Sequence, residues 1–142
     1  MKIGDIMSER VVYISQMEPV SAAARLMTRC NLGSLPVCDD AGRLRGIVTD
    51  RDIVTRCVAA DMDAGDTKVR EVMSRGIQSC SKDDDVQLAA SVMAEQQIRR
   101  LPVLEDGKLV GMLSLSDLAR RSRLSMEAAE ALGKISSNVR HG

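Results

Sequence analysis

Slid along itself by 66 residues, this chain repeats. Ile3-Gly4-Asp5-Ile6-Met7 falls on Val69-Arg70-Glu71-Val72-Met73, and Leu35-Pro36-Val37 falls on Leu101-Pro102-Val103. A one-residue slip in the turn Asp39-Asp40-Ala41-Gly42, matched by Glu105-Asp106-Gly107, then sets Gly46 on Gly111 and Asp52 on Asp117. Duplication of this kind limits the fold to two copies of one supersecondary unit.

The unit is legible from periodicity. Each copy opens with a short amphipathic turn ending in Met7 or Met73, followed by an apolar strand, Val11 to Ile14 or Ile77 to Cys80. A helix starts at Pro19 or Asp85. Val20, Ala23, Ala24 and Met27 share one of its faces at helical spacing, and Val86, Ala89, Ala90 and Met93 copy them. Proline suits a first helical turn, and Asp83-Asp84-Asp85 suits the positive end of a helix, which reads the acidic run as a solvated cap rather than a metal site. Next comes a hairpin, Leu35 to Cys38 with Leu44 to Val48, copied as Leu101 to Leu104 with Leu109 to Leu113. A second helix begins near Asp50 or Leu115, with Ile53, Val54, Cys57 and Val58 as its apolar residues in the first copy.

The expected fold is therefore α+β, two tandem β-α-β-β-α repeats at 1–60 and 68–122, joined by a linker at 61–67 and followed by a C-terminal helix and tail at 123–142. A lone unit of about 60 residues buries too little surface to be comfortable, so the two are expected to pack through their sheets. Met126, Ala129, Leu132 and Ile135 mark the narrow apolar stripe of the last helix.

Composition narrows the function. Lys plus Arg equals Asp plus Glu at 20 each, and one tyrosine with no tryptophan or phenylalanine leaves no platform for stacked bases, so no nucleic-acid partner is expected. No apolar run approaches the roughly 20 residues of a membrane span, and no secretory leader is seen, so no membrane partner and a cytoplasmic location are expected. Cys30, Cys38, Cys57 and Cys80 are widely spaced and His141 is the only histidine, which reads as reduced, mostly buried thiols with no metal site. The same lack of histidine, with no nucleophile motif and no phosphate-cradling loop, argues against an enzyme.

The candidate chemistry sits after the hairpins. Thr49 with Asp52, and Ser114 with Asp117, fit the capping box, which needs no ligand. Capping explains neither Gly46 and Gly111 ahead of these pairs nor Arg99 and Arg100 before Leu101. A nucleotide asks for a carboxylate on its ribose diol, guanidinium forks on its phosphates and an apolar slot for its base. The second repeat offers all three kinds of group.

On Gly46 to Asp52, Gly111 to Asp117, and Arg99-Arg100 before Leu-Pro-Val, the duplicated unit resembles the cystathionine-β-synthase (CBS) domain, and residues 3–121 resemble a CBS pair, or Bateman module. Thr49-Asp50-Arg51-Asp52-Ile53-Val54 is similar to the wording of small stand-alone bacterial members. The resemblance implies a regulatory module with two pseudo-equivalent clefts between its repeats, required cofactors none, and an adenine nucleotide (AMP, ADP or ATP) as regulatory ligand.

Carried over by residue, it implies ribose contacts from Asp117, Ser114 and Ser116, phosphate contacts from Arg99 and Arg100, and an adenine end lined by Glu18, Ala23 and Gly33. The pseudo-symmetric site takes Thr49 and Asp52, with Asp84, Ala89 and Ile98 opposite; Gly33-Ser34 replaces its basic pair, which makes it the weaker one. Glu18 and Asp84 stand where many members carry a hydroxyl, leaving room for the cationic S-adenosylmethionine. A homodimer and a regulated protein partner are expected. The alternative is a ligand-free dimeric scaffold or stress-associated interaction protein.

Overall fold

The computed structural model describes residues 1–120 and 130–134. A 3-10 turn at Ile3–Asp5 precedes β1 (Ile14–Ser15), α1 (Val20–Cys30), β2 (Ser34–Cys38), β3 (Leu44–Thr49) and α2 (Asp50–Ile53). After α2 come a π turn at Val54–Val58 and the short helix α3 (Val69–Val72). The second series is β4 (Cys80–Ser81), α4 (Val86–Gln96), β5 (Arg100–Glu105), β6 (Lys108–Ser114) and α5 (Leu115–Ala119). The two β-α-β-β-α units expected from the repeat are present.

Local chemistry sets the element ends. Proline has no N–H to offer a helix, and Pro19, at φ −69°, stands at the N-cap of α1. Asp85 caps α4 by accepting from Gln87 N at 2.9 Å, and Asp84 accepts from Ser81 N at 2.9 Å, so the acidic run before α4 does serve as a helix start. Both long helices end on a left-handed residue, Asn31 (φ 54°) and Gln97 (φ 56°). In the first hairpin Asp39 accepts from Ala41 N and Arg43 N at 2.9 and 3.0 Å, with Arg45 Nε on its other oxygen at 2.8 Å. The hydrogen bond from the Arg43 backbone, with help from the Arg45 guanidinium, holds its carboxyl below the usual range. In the second, Asp106 (φ 54°) and Gly107 (φ 79°) make the turn.

Each sheet has three strands. β1 pairs parallel with β2, Ile14 facing Val37, and β2 pairs antiparallel with β3, Leu35 facing Val48. β4 pairs parallel with β5, Cys80 facing Val103, and β6 lies beside β5. The first strand of each unit is shorter than its apolar run. Among the described residues Val12 and Tyr13 pair with no strand, and they remain 37% and 56% exposed.

Two helical expectations are corrected. Of Ile53, Val54, Cys57 and Val58, only Cys57 is buried, while Val54 and Val58 are more than half exposed. Helix α2 widens into the π turn, with Ala59 N bonding Val54 O at 2.8 Å, and the extra residue per turn takes the following side chains off the 3.6-residue face. Residues 130–134 are helical, but Ala131 is the buried residue there and Leu132 is 41% exposed. Met126, Ala129 and Ile135 lie outside the described residues.

By contacts the chain divides into two units. The first-repeat unit is Val12–Ile77 with Gly107–Leu109; the second-repeat unit is Met1–Val11, Gln78–Asp106 and the described residues from Val110 on. The lead-in segment of each repeat thus sits in the core of the other. Val69, Val72 and Met73 are buried with Val20, Met27, Leu35 and Val48, and Ile3 and Ile6 are buried with Val86, Met93, Leu101, Leu113 and Leu118. Backbone pairing holds these lead-ins in place: Ser74 and Ile47 exchange N–H···O bonds at 2.8 and 2.9 Å, as Ser8 and Met112 do at 2.9 Å each.

That pairing accounts for the two glycines that capping left over. A Cβ on Gly46 meets Ser74 O at 2.6 Å and Met73 Sδ at 2.9 Å, and one on Gly111 meets Met7 Sδ at 2.5 Å and Ser8 O at 2.9 Å. No side chain fits there.

Of the cysteines, Cys30 is exposed, Cys38 and Cys57 are buried and Cys80 is half-buried. Burial first, then the Asp39 charge, pushes the Cys38 thiol up to about 11; burial and then Asp84 push Cys80 up to about 12.

Gly46→Ala is expected to destabilise the protein by about 1–3 kcal/mol in denaturant melts, whereas Gly133→Ala, with nothing within 4 Å, is neutral or mildly stabilising. At pH 8 a thiol reagent labels Cys30 in the native protein and reaches Cys38 and Cys57 only on unfolding, as peptide mapping reads. Because folding favours the neutral thiols, the stability linked to Cys38 is fully present below pH 9 and is lost as pH rises towards 11.

Candidate functional site

Both strand-to-helix junctions close a capping box. Ser114 (φ −121°, ψ 162°) ends β6; its Oγ accepts from Asp117 N at 3.2 Å, and Asp117 Oδ2 accepts from Ser114 N at 2.8 Å. Thr49 (φ −113°, ψ 162°) ends β3, with Oγ1 accepting from Asp52 N and Asp52 Oδ2 accepting from Thr49 N, both at 3.0 Å. Such caps contribute about 1 kcal/mol. They also draw each carboxylate in against the helix start, so that Asp52 is 8% and Asp117 5% exposed.

A carboxylate this buried needs donors. Arg120, at the C-terminal cap of α5, donates Nη2 to Asp117 Oδ1. Asp52 is served by the Ser74 hydroxyl, at 3.2 Å from Oδ1 and 3.3 Å from Oδ2, and by Arg56 Nε at 4.0 Å. Arg56 spends its Nη1 on the Val72 and Met73 carbonyls, at 3.2 and 3.0 Å. Sequence reasoning missed Ser74, Arg56 and Arg120. Helical spacing of an acid with an arginine three or four residues on was the available signal for the two arginines; the repeat pairing of Ser8 with Ser74 was the signal for the serine.

In the second-repeat unit the predicted residues share one neighbourhood. Leu115 N donates to Arg99 O at 3.1 Å, which ties the start of β5 to the start of α5, and Ser114 Oγ lies 2.8 Å from Ser116 Oγ. The Arg99 and Arg100 side chains are exposed, and among the described residues neither guanidinium makes an ion pair or hydrogen bond. By its backbone, Arg99 thus adjoins the helix start that carries a carboxylate and two hydroxyls.

In the first-repeat unit the same tie runs from Asp50 N to Gly33 O at 2.9 Å, where no basic pair exists. Ala23 is fully buried in the core, and Glu18 is exposed at a hollow of about 360 Å³ that Tyr13, Ser15, Arg25 and Arg29 also line. Of the residues expected opposite Asp52, Ala89 is buried and Ile98 half-buried, and Asp84 accepts from Ser81 N.

What this arrangement offers is recognition. A carboxylate with lone pairs to spare accepts from a vicinal diol, and free guanidinium groups grip phosphate bidentately. Among the described residues no three His, Cys, Asp or Glu side chains gather as a metal site, and no helix is long and apolar enough to cross a membrane.

The CBS domain family model matches residues 3–59 and 69–123. The CBS domain-containing protein YhcV of Bacillus subtilis is 38% identical over 139 residues, 98% of either chain. The crystal structure of Hypoxic Response Protein I with two coordinated zinc ions is similar at TM-score 0.76 and 36% identity, over 85% of this chain and 98% of that one. CBSX2 in complex with AMP is similar at TM-score 0.73 and 26% identity, over 89% and 98%. The CBS domain pair of MJ0100, in complex with 5-methylthioadenosine and S-adenosyl-L-methionine, is similar at TM-score 0.67 and 26% identity, over 84% and 94%. CBS pairs are regulatory modules. With two copies of the β-α-β-β-α unit, each ending in a capped acid, and the family match across both, this chain belongs to the CBS-domain family as a CBS pair.

Proposed function

We propose that this protein is a non-catalytic cytoplasmic sensor, working as a homodimer, that binds an adenosyl ligand of the AMP, ADP or ATP class and passes its occupancy to a partner protein. Asp117 takes the ribose diol with Ser114 and Ser116, and Arg99 and Arg100 take the phosphates. Thr49 with Asp52 is the weaker counterpart. The observation that supports this reading is the Arg99–Leu115 backbone bond, which ties the start of the strand carrying two exposed arginines to the helix start that bears the acid and both hydroxyls. The adenosyl ligands in CBSX2 and MJ0100 support the class of ligand. A ligand that binds the folded chain shifts its conformational equilibrium only as far as it prefers one state, so the output is a change of shape rather than chemistry.

In thermal melts, one of AMP, ADP, ATP or S-adenosylmethionine at 100 times its dissociation constant is expected to stabilise the protein by about 2.7 kcal/mol. A shift with S-adenosylmethionine alone moves the assignment to a cationic adenosyl ligand; no shift with any of the four leaves the ligand-free scaffold. Asp117→Asn removes the shift more completely than Asp52→Asn, and the reverse order overturns the choice of acid. Arg99→Gln with Arg100→Gln weakens AMP by roughly tenfold or more while sparing adenosine, since each charge-assisted bond is worth about 1.5–3 kcal/mol.

A further inference from the structure

The two acids are alike in sequence and cap but not in what covers their free edge. On Asp52 a single hydroxyl, that of Ser74, lies across both carboxylate oxygens, 3.2 Å from one and 3.3 Å from the other. A donor that spans both oxygens occupies the edge that a vicinal diol needs, because the diol brings two hydroxyls to the same two atoms. On Asp117 no donor does this among the described residues: Oδ2 is taken by Ser114 N and Oδ1 by Arg120, one partner to each oxygen. A carboxylate has about four lone-pair sites, so each oxygen keeps one to spare.

The repeat makes the comparison sharp. Ser8, the counterpart of Ser74 at a spacing of 66, pairs its backbone with β6 just as Ser74 does with β3, but its hydroxyl donates to Arg10 O at 3.4 Å instead of to Asp117. Two serines in the same backbone setting thus point their hydroxyls to different ends.

We propose that Ser74 is the specificity-determining residue of the pair: its hydroxyl fills the diol position on Asp52, closing the first-repeat acid to ribose and leaving Asp117, of the two capped acids, as the diol acceptor. The inference rests on the reading of Asp117 as a ribose acceptor. It explains the asymmetry by an internal hydroxyl that mimics the ligand, independently of the missing basic pair at Gly33-Ser34.

Titration calorimetry of the full chain with adenosine and 2′-deoxyadenosine tests it, since a probe without phosphate keeps the absent arginines from counting. The wild type is expected to bind one adenosine, and Asp117→Asn none. Adding Ser74→Ala to Asp117→Asn restores one site, at least tenfold tighter than in Asp117→Asn alone and at least tenfold selective for adenosine over 2′-deoxyadenosine. Ser74→Gly opens the site in the same way, and Ser74→Thr, which keeps the hydroxyl, leaves it closed.

The proposal is overturned if the serine variants bind no better than Asp117→Asn, if the regained site ignores the 2′-hydroxyl, or if the wild type already binds two. A wild type that takes up neither adenosine nor AMP fails earlier, at the ribose role of Asp117, and removes this inference with it.

Discussion

Each unit depends on a backbone-to-backbone contact that admits no side chain. Ile47 with Ser74, and Met112 with Ser8, share paired N–H···O bonds beside Gly46 and Gly111, where any Cβ runs into a carbonyl oxygen and a methionine sulfur. A buried peptide group must find a partner. Here the partner is a segment from the far side of the chain, and the glycine is what lets it approach. The apolar residues beside that segment, Ile3 and Ile6 in one unit and Val69, Val72 and Met73 in the other, then complete the two cores.

The same contact reaches the candidate site. Seating Ser74 against β3 brings its hydroxyl to Asp52, so one pairing closes the core and sets the surroundings of the carboxylate. In the other unit Ser8 is seated equally well, but Asp117 takes its donor from Arg120 at the cap of its own helix. Two nearly identical capping boxes therefore present different free edges. A few hydroxyl and guanidinium positions, not the fold, separate them, which is why function has to be argued from the site.

Several elements could be read from the residues before any coordinates. The 66-residue repeat, the helical spacing of Val20, Ala23 and Met27 with their copies, the Asp-Gly hairpin turns and both capping boxes are local patterns, and each appears as expected. Where reading fell short, the cause was backbone geometry or packing that residue spacing does not show. Val54 and Val58 look like core on a 3.6-residue wheel but are the first and last residues of a π turn, whose wider spacing shifts the face they occupy. Leu132 fits an apolar stripe, yet Ala131 is the residue that reaches the core. Gly46 and Gly111, which capping leaves unexplained, owe their place to the approach of Ser74 and Ser8.

By itself, the sequence determined what short-range physics controls: two copies of one β-α-β-β-α unit, their helix starts and turns, and an acid held three residues after a hydroxyl, because caps, turns and amphipathic faces depend on neighbours a few residues apart. Only the tertiary structure decided which lead-in completes which core and which donor reaches each carboxylate. Ser74 lies 22 residues from Asp52, and a contact across that separation exists only once a whole unit has folded around it.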